Sequence, residues 1–257
     1  MTEKMRVRLL STSLIVGFFL VWEILCIVLN VSDLVLPRPS EIMFTMYDRF
    51  PVLWPHILQT LYSTLVGFAL GVTIGVTLGV IVGTSKVAYA VAYPLLVGFS
   101  SIPKVAVVPI FVLWFGSGTT PAILTAMVIC VFPIVVNIAT GLATTEPELE
   151  DVLKTMGASK SEILWNVGLP RAMPYFFASL KVAITLSFVG AVLSETVASN
   201  MGIGFVMMTA SSNFQVSLVF SGLILLALMG VALYAIFSLL ERRVTGWATR
   251  GNDIAIT

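Results

Sequence analysis

The sequence predicts an all-α, polytopic membrane protein that crosses the bilayer about six times. Of its 257 residues, 58% are hydrophobic and only 11% charged, a balance too apolar for a soluble domain. Several apolar runs reach the roughly 20 residues that a helix needs to span hydrocarbon. The charged residues gather in the segments between those runs. The length suits a single transmembrane domain, residues 1–257. A net charge of +1 offers no field for nucleic acid. Cys26 and Cys130 both lie inside apolar runs, and neither their spacing nor their surroundings suggest a metal site or a disulfide.

The first span is expected at residues 9–29, behind Lys4, Arg6 and Arg8. It reaches spanning length with no small-residue cleavage site after it, so it reads as a retained helix. Glu23 is an acid within that span, which marks either a functional group or a side chain reaching interfacial water. Pro37 and Pro39 interrupt the polar stretch that follows. Ser40 is placed to cap a helix over residues 41–50 that lies in the interface through Ile42, Met43, Met46 and Phe50.

The second span, residues 57–83, carries Gly67, Gly71, Gly75, Gly79 and Gly83 at every fourth position. Such a face of small residues lets two helix backbones approach closely, which predicts tight packing against a neighbouring helix. Residues 87–116 are too long for one simple span and contain Pro94, Pro103 and Pro109, so this third crossing is expected to be bent or broken. Lys104 sits at that break. It either faces the translocation path, where it would meet an anion, or snorkels to an interface. The remaining spans are expected at 122–142, with Asn137 in its later half, at 175–198, with Glu195 near its end, and at 216–240.

Six crossings place both termini on one side. Lys4, Arg6, Arg8, Lys86, Lys154, Lys160, Arg171, Lys181, Arg242, Arg243 and Arg250 fall on that side, against Arg38 and Arg49 on the other, with Lys104 assigned to neither. An excess of basic residues marks the cytoplasm. Both ends and the long polar loop at 144–170 are therefore expected there, Lys160 included, with Asp48 outside.

That loop reads as helix, turn, helix. Thr145 with Glu148, and Ser159 with Glu162, have capping-box spacing. Leu149, Val152, Leu153 and Met156 share one face of the first helix, opposite Glu146, Glu148, Glu150, Asp151 and Lys154. Gly157 stands where a left-handed residue would end that helix. The pattern resembles the conserved loop of bacterial ABC importer permeases, an acid and two small residues followed by Gly and, further on, Leu-Pro. Asp151, Val152 and Leu153 take the first three places, the acid kept in kind and the two small residues replaced by larger ones. Gly157, Val167, Leu169 and Pro170 take the others.

The segments 102–116 and 194–214 resemble the nitrate, sulfonate and taurine branch of those permeases, and the likeness extends over about residues 36–243. In the second segment Gly202 and Gly204 are expected to allow a tight outer loop where a binding protein docks. The resemblance implies a type I importer fold and a bacterial inner-membrane location. It also implies two ATPase subunits, a second permease copy and an extracytoplasmic binding protein. The first helix of the loop would enter the ATPase, which would hold ATP and Mg, and this chain would hold no cofactor. The solute would be a small one, with anions such as taurine, a sulfonate or nitrate foremost. Lys104, Asn137 and Glu195 are candidates for the translocation path. No Gly-Lys pair is present for a phosphate-binding loop, and no set of nucleophile, base and orienting acid is evident, so the chain reads as non-catalytic. A secondary transporter or channel uncoupled from ATP is the alternative, and it would need intramembrane ion ligands or inverted repeats.

Overall fold

A computed structural model describes residues 3–143, 152–153 and 155–245, and every regular element among them is helical. The expected roles of Glu148, Leu149 and Asp151 fall on residues outside those described. In order the chain forms α1 (Glu3–Val28), α2 (Pro39–Asp48), α3 (Phe50–Gly83) and α4 (Lys86–Ser100). A 3-10 turn at Lys104–Val107 leads into α5 (Val108–Phe115), followed by α6 (Thr119–Ala143). Next come α7 (Lys160–Ile163), a π turn at Leu164–Gly168, α8 (Leu169–Ala198), α9 (Ile203–Ser212) and α10 (Val216–Thr245). Five stretches are long and apolar enough to cross a membrane: Met5–Val28, Phe50–Gly83, Thr119–Ala143, Ser161–Ser212 and Val216–Val244. The pair Val87–Ser100 and Lys104–Phe115, bent by 79°, makes a sixth if it counts as one crossing.

Helices α3, α6 and α8 form the centre. The glycines of α3 lie directly on α6, where a Cβ at Gly75 or Gly79 would come within 2.8 Å of Ile134 or Ile138. A Cβ at Gly67 would stand 2.5 Å from that of Ala126, and one at Gly71 would overlap the Cys130 sulfur. Ala126, Cys130, Ile134 and Ile138 also recur every fourth residue, so four-residue rows meet on both helices. On the other side Ser187 of α8 donates to the Thr64 carbonyl of α3 at 2.9 Å. Phe68, Ala183, Ile184, Phe188 and Leu233 fill the space beside it.

The bundle has two distinguishable ends. At one, Gly118 N–H donates to the Ala198 carbonyl at 3.1 Å, and Gln59 donates to the Thr119 hydroxyl at 2.8 Å. This turn end holds the connections between α1 and α2, α5 and α6, α8 and α9, and α9 and α10. At the other, the loop end, Tyr89 and Thr140 hydroxyls lie 3.2 Å apart. Both ends of the described chain lie on the loop-end side.

Several boundaries differ from the sequence expectations for physical reasons. Ser40 is not the cap of α2. Pro39 occupies the first turn behind an extended Arg38, because proline's fixed φ and missing amide suit that place, and the helix starts earlier. Ser40 instead donates its N–H at 3.0 Å and its hydroxyl at 2.7 Å to the Glu23 carboxylate of α1. With Trp22 against Phe220, ring centres 5.9 Å apart, that contact holds α1 at its turn end, while most of its apolar surface stays exposed.

The crossing expected at 175–198 begins far earlier. Leu169 and Pro170 do not end a loop; they open α8 directly from the π turn, with Leu169 N–H bonded to the Leu164 carbonyl five residues back. Pro170 lacks the amide that would continue the α pattern, and the wider turn accommodates that loss. The tight outer turn expected at Gly202 and Gly204 is confined to residues 199–202, with Gly202 at φ +105°. A short turn leads at once into α9, and Gly204 lies inside that helix against Val192 and Glu195.

Candidate functional site: the loop end and the buried carboxylate at the turn end

At the loop end, Val152, Leu153 and Thr155 are helical, and Gly157 adopts a left-handed φ of +85°. Ala158 N–H reaches back to the Leu153 carbonyl at 3.0 Å, the long bond that closes a helix around a left-handed glycine. The chain then restarts at once. Ser159 donates its N–H and its hydroxyl to Glu162 Oε2, each at 2.7 Å, and Glu162 N–H donates back to Ser159 Oγ at 3.3 Å. These reciprocal bonds satisfy the first free amides of α7. Val152 and Met156, one turn apart, are 56% and 77% exposed, whereas Leu153 is half-buried. Two apolar side chains beside the capped turn are thus exposed.

The three polar residues considered for a translocation path have separate surroundings. Lys104 Nζ donates to the Ser100 carbonyl at 2.9 Å and stands 5.3 Å from the centre of the Phe132 ring, half-buried beside the bend. Asn137 donates its side-chain amide to the Pro133 carbonyl one turn back at 2.8 Å, so it is engaged within its own helix.

Glu195 is 2% exposed. It accepts the Thr60 hydroxyl at 2.8 Å and the Gly204 N–H at 3.2 Å, and the Thr60 oxygen in turn accepts Ile203 N–H at 2.9 Å. Gly202, at φ +105°, donates its N–H to His56 Nδ1 at 3.1 Å. The start of α9 is thus received by an acid from α8 and by a hydroxyl and an imidazole from α3. Sequence alone gives Thr60 and His56, the one histidine, no site role, although Thr60 and Thr64 extend the small-residue face of α3 upstream of Gly67. Elsewhere at the turn end, Asp33, Arg49, Phe214, Gln215 and Ser217 line a shallow cavity of about 260 Å³. No cluster of metal-ligating side chains occurs among the described residues.

Spanning helices packed into one bundle define a polytopic membrane protein. The chain belongs to the family described as binding-protein-dependent transport system inner membrane component, whose model matches residues 71–246. It is an ABC importer permease of that family, a multi-pass membrane protein and a transport subunit, not itself a catalytic one. It is 32% identical over 231 residues to a probable ABC transporter permease protein of Haemophilus influenzae, covering 90% of this chain and 94% of the relative. It is 35% identical to the riboflavin transport system permease protein RibX of Chloroflexus aurantiacus, over 83% of this chain and 80% of that one. Relatives named for taurine, aliphatic sulfonates and nitrate share 24 to 28% of aligned residues. Among solved structures, an inward-facing MetNI methionine ABC transporter chain matches with a TM-score of 0.68 at 19% identity, covering 77% of this chain and 98% of that one. The likeness to that chain is one of fold.

Proposed function

We propose that this chain is the membrane-spanning subunit of an ATP-driven importer in which residues 144–170 contact the ATPase. The observation that carries the reading is the loop end. A helix closes at left-handed Gly157, a new one opens at the Ser159–Glu162 box, and Val152 and Met156 remain uncovered on the projection between bundle helices. An uncovered apolar pair on a fixed turn suits a groove in a partner protein. In this reading the loop end is cytoplasmic, with both termini, and the turn end receives the binding protein. Two copies of the chain work with two ATPase subunits. ATP and Mg act in those partners, whose closure displaces the loop and switches access from one side to the other.

The solute is a small one. An anion such as taurine, a sulfonate or nitrate is supported by relatives of those names and by the placement of Lys104 at the bend. A flat nitrogen heterocycle is the second reading. It is favoured by the 35% identity to a riboflavin permease and the 34% identity to a formylaminopyrimidine permease of Halalkalibacterium halodurans.

The test is reconstitution in liposomes with a co-purified ATPase and binding protein, followed by uptake of labelled taurine, nitrate and riboflavin. Uptake is expected only with ATP and with one solute class. Uptake driven by an ion gradient without ATP refutes the importer reading and favours a secondary transporter.

A further inference from the structure

The acid at the turn end is enclosed by neutral partners. The recorded bonds to the Glu195 carboxylate come from the Thr60 hydroxyl and the Gly204 amide, and its Oε1 is buried without one. A buried carboxyl group is costly, and it persists where donors are fixed around it. Here the donors belong to two other helices, α3 and α9, and the positive end of α9 faces the acid. The backbone is pressed onto it as well. A Cβ at Gly202 would overlap the carboxylate, and one at Gly204 would lie 2.7 Å from the Val192 carbonyl and 2.8 Å from Glu195 Cβ. By contrast α9 meets α10 through apolar packing, with Met207 against Gly222. Directional bonds therefore tie the first turn of α9 to α8 and α3.

Glu195 also stands at the far end of a long element. From α7 through the π turn to Ala198 the helix is continuous, about 55 Å at 1.5 Å per residue, and it begins at the capped turn after Gly157. About midway along it Lys181 pairs with Glu241 of α10 at 2.6 Å, with both side chains about one-fifth exposed. One helical run thus joins the loop to the bond network at the opposite face.

We propose that Glu195 is a positioning residue for transport: with Thr60 it locks the start of α9 to the far end of α8, so that displacement of the loop arrives at the turn end as movement of α9. This rests on the reading of residues 144–170 as the ATPase contact. A rigid secondary element bonded at its far end can carry coupling between two sites, and the ATP response at both ends is what tests it.

The experiment uses the reconstituted complex with its ATPase and binding protein, with Cys26 and Cys130 replaced by alanine. An environment-sensitive fluorophore is placed at position 165 near the loop or at position 209 on α9. Trp165 and Thr209 are both exposed. ATP is expected to shift both signals in the parent. In Glu195→Gln and Thr60→Val the shift at 165 persists and that at 209 falls at least threefold, while Thr60→Ser, which keeps the hydroxyl, restores it. Substrate-stimulated ATP hydrolysis falls in parallel with the signal at 209. An unchanged shift at 209 in both variants overturns the proposal, as does equal loss at both labels. Failure of both variants to reach the membrane assigns the lock to folding alone and also rejects the positioning role. A parent in which 165 itself does not respond to ATP refutes the ATPase-contact reading, a different failure from silence at 209 alone.

Discussion

Replacing Gly157 separates backbone geometry from side-chain crowding, because nothing lies within 4 Å of the place its Cβ would occupy. The only intrinsic penalty is conformational, since φ is +85° and the Ala158 to Leu153 bond depends on it. Alanine in that region costs about 1 kcal/mol, and a β-branched residue on the order of 1 to 3 kcal/mol. Asparagine tolerates it better than either. At about 2 kcal/mol the turned form loses roughly thirtyfold in population relative to alternatives. Uptake and ATPase co-purification by reconstituted Gly157→Asn, Gly157→Ala and Gly157→Val are therefore expected to fall in that order. Asparagine should stay near the parent and valine should drop about tenfold or more. Membrane abundance should not change, since the residue is exposed and far from the bundle centre. Normal uptake by an abundant Gly157→Val protein refutes the reasoning. Equal loss in Asn and Val also refutes it, by showing that side-chain volume matters and backbone strain does not.

Two further outcomes follow from the packing. Gly71→Ala should destabilise the protein by about 1 to 2 kcal/mol, because overpacking against Cys130 outweighs the roughly 1 kcal/mol gained in helix propensity. Cys130→Ala should recover most of that loss, as measured by denaturant unfolding in mild detergent, and a stabilised Gly71→Ala protein contradicts the close contact. Lys104→Met should raise the KM for an anionic solute about fivefold, equivalent to about 1 kcal/mol for a partly exposed charge, and leave a neutral solute unaffected. An unchanged KM for anions removes Lys104 from the path.

Local chemistry made much of the architecture legible. The glycine period announced close packing on α3, the prolines announced the broken crossing, and Gly157 with Ser159 and Glu162 announced the turn at the loop end. What stayed hidden depends on residues far apart in the chain. Glu195, Thr60 and the amides of 203 and 204 meet across three helices, with 135 positions between the hydroxyl and the carboxylate. No periodicity records such a meeting. Ser40 misled for a related reason: its local pattern fits a cap, but Glu23, 17 positions earlier, claims both its N–H and its hydroxyl. The π turn was equally invisible, because a proline near an apolar run more often marks a helix start than a widened turn within a continuous helical run.

The seam between α3 and α6 bears on where the machine can bend. Backbones in contact along several turns, with no side chain free to swing aside, resist sliding and separation alike. Either motion would force Ile134 and Ile138 over the ridge of α3 between successive glycines. Closely packed interfaces respond by moving as rigid blocks or by jumping one register, not by gradual deformation. These two helices therefore move as one block. Rearrangement within the bundle is left to the parts packed around that block, the bent pair α4 and α5 foremost.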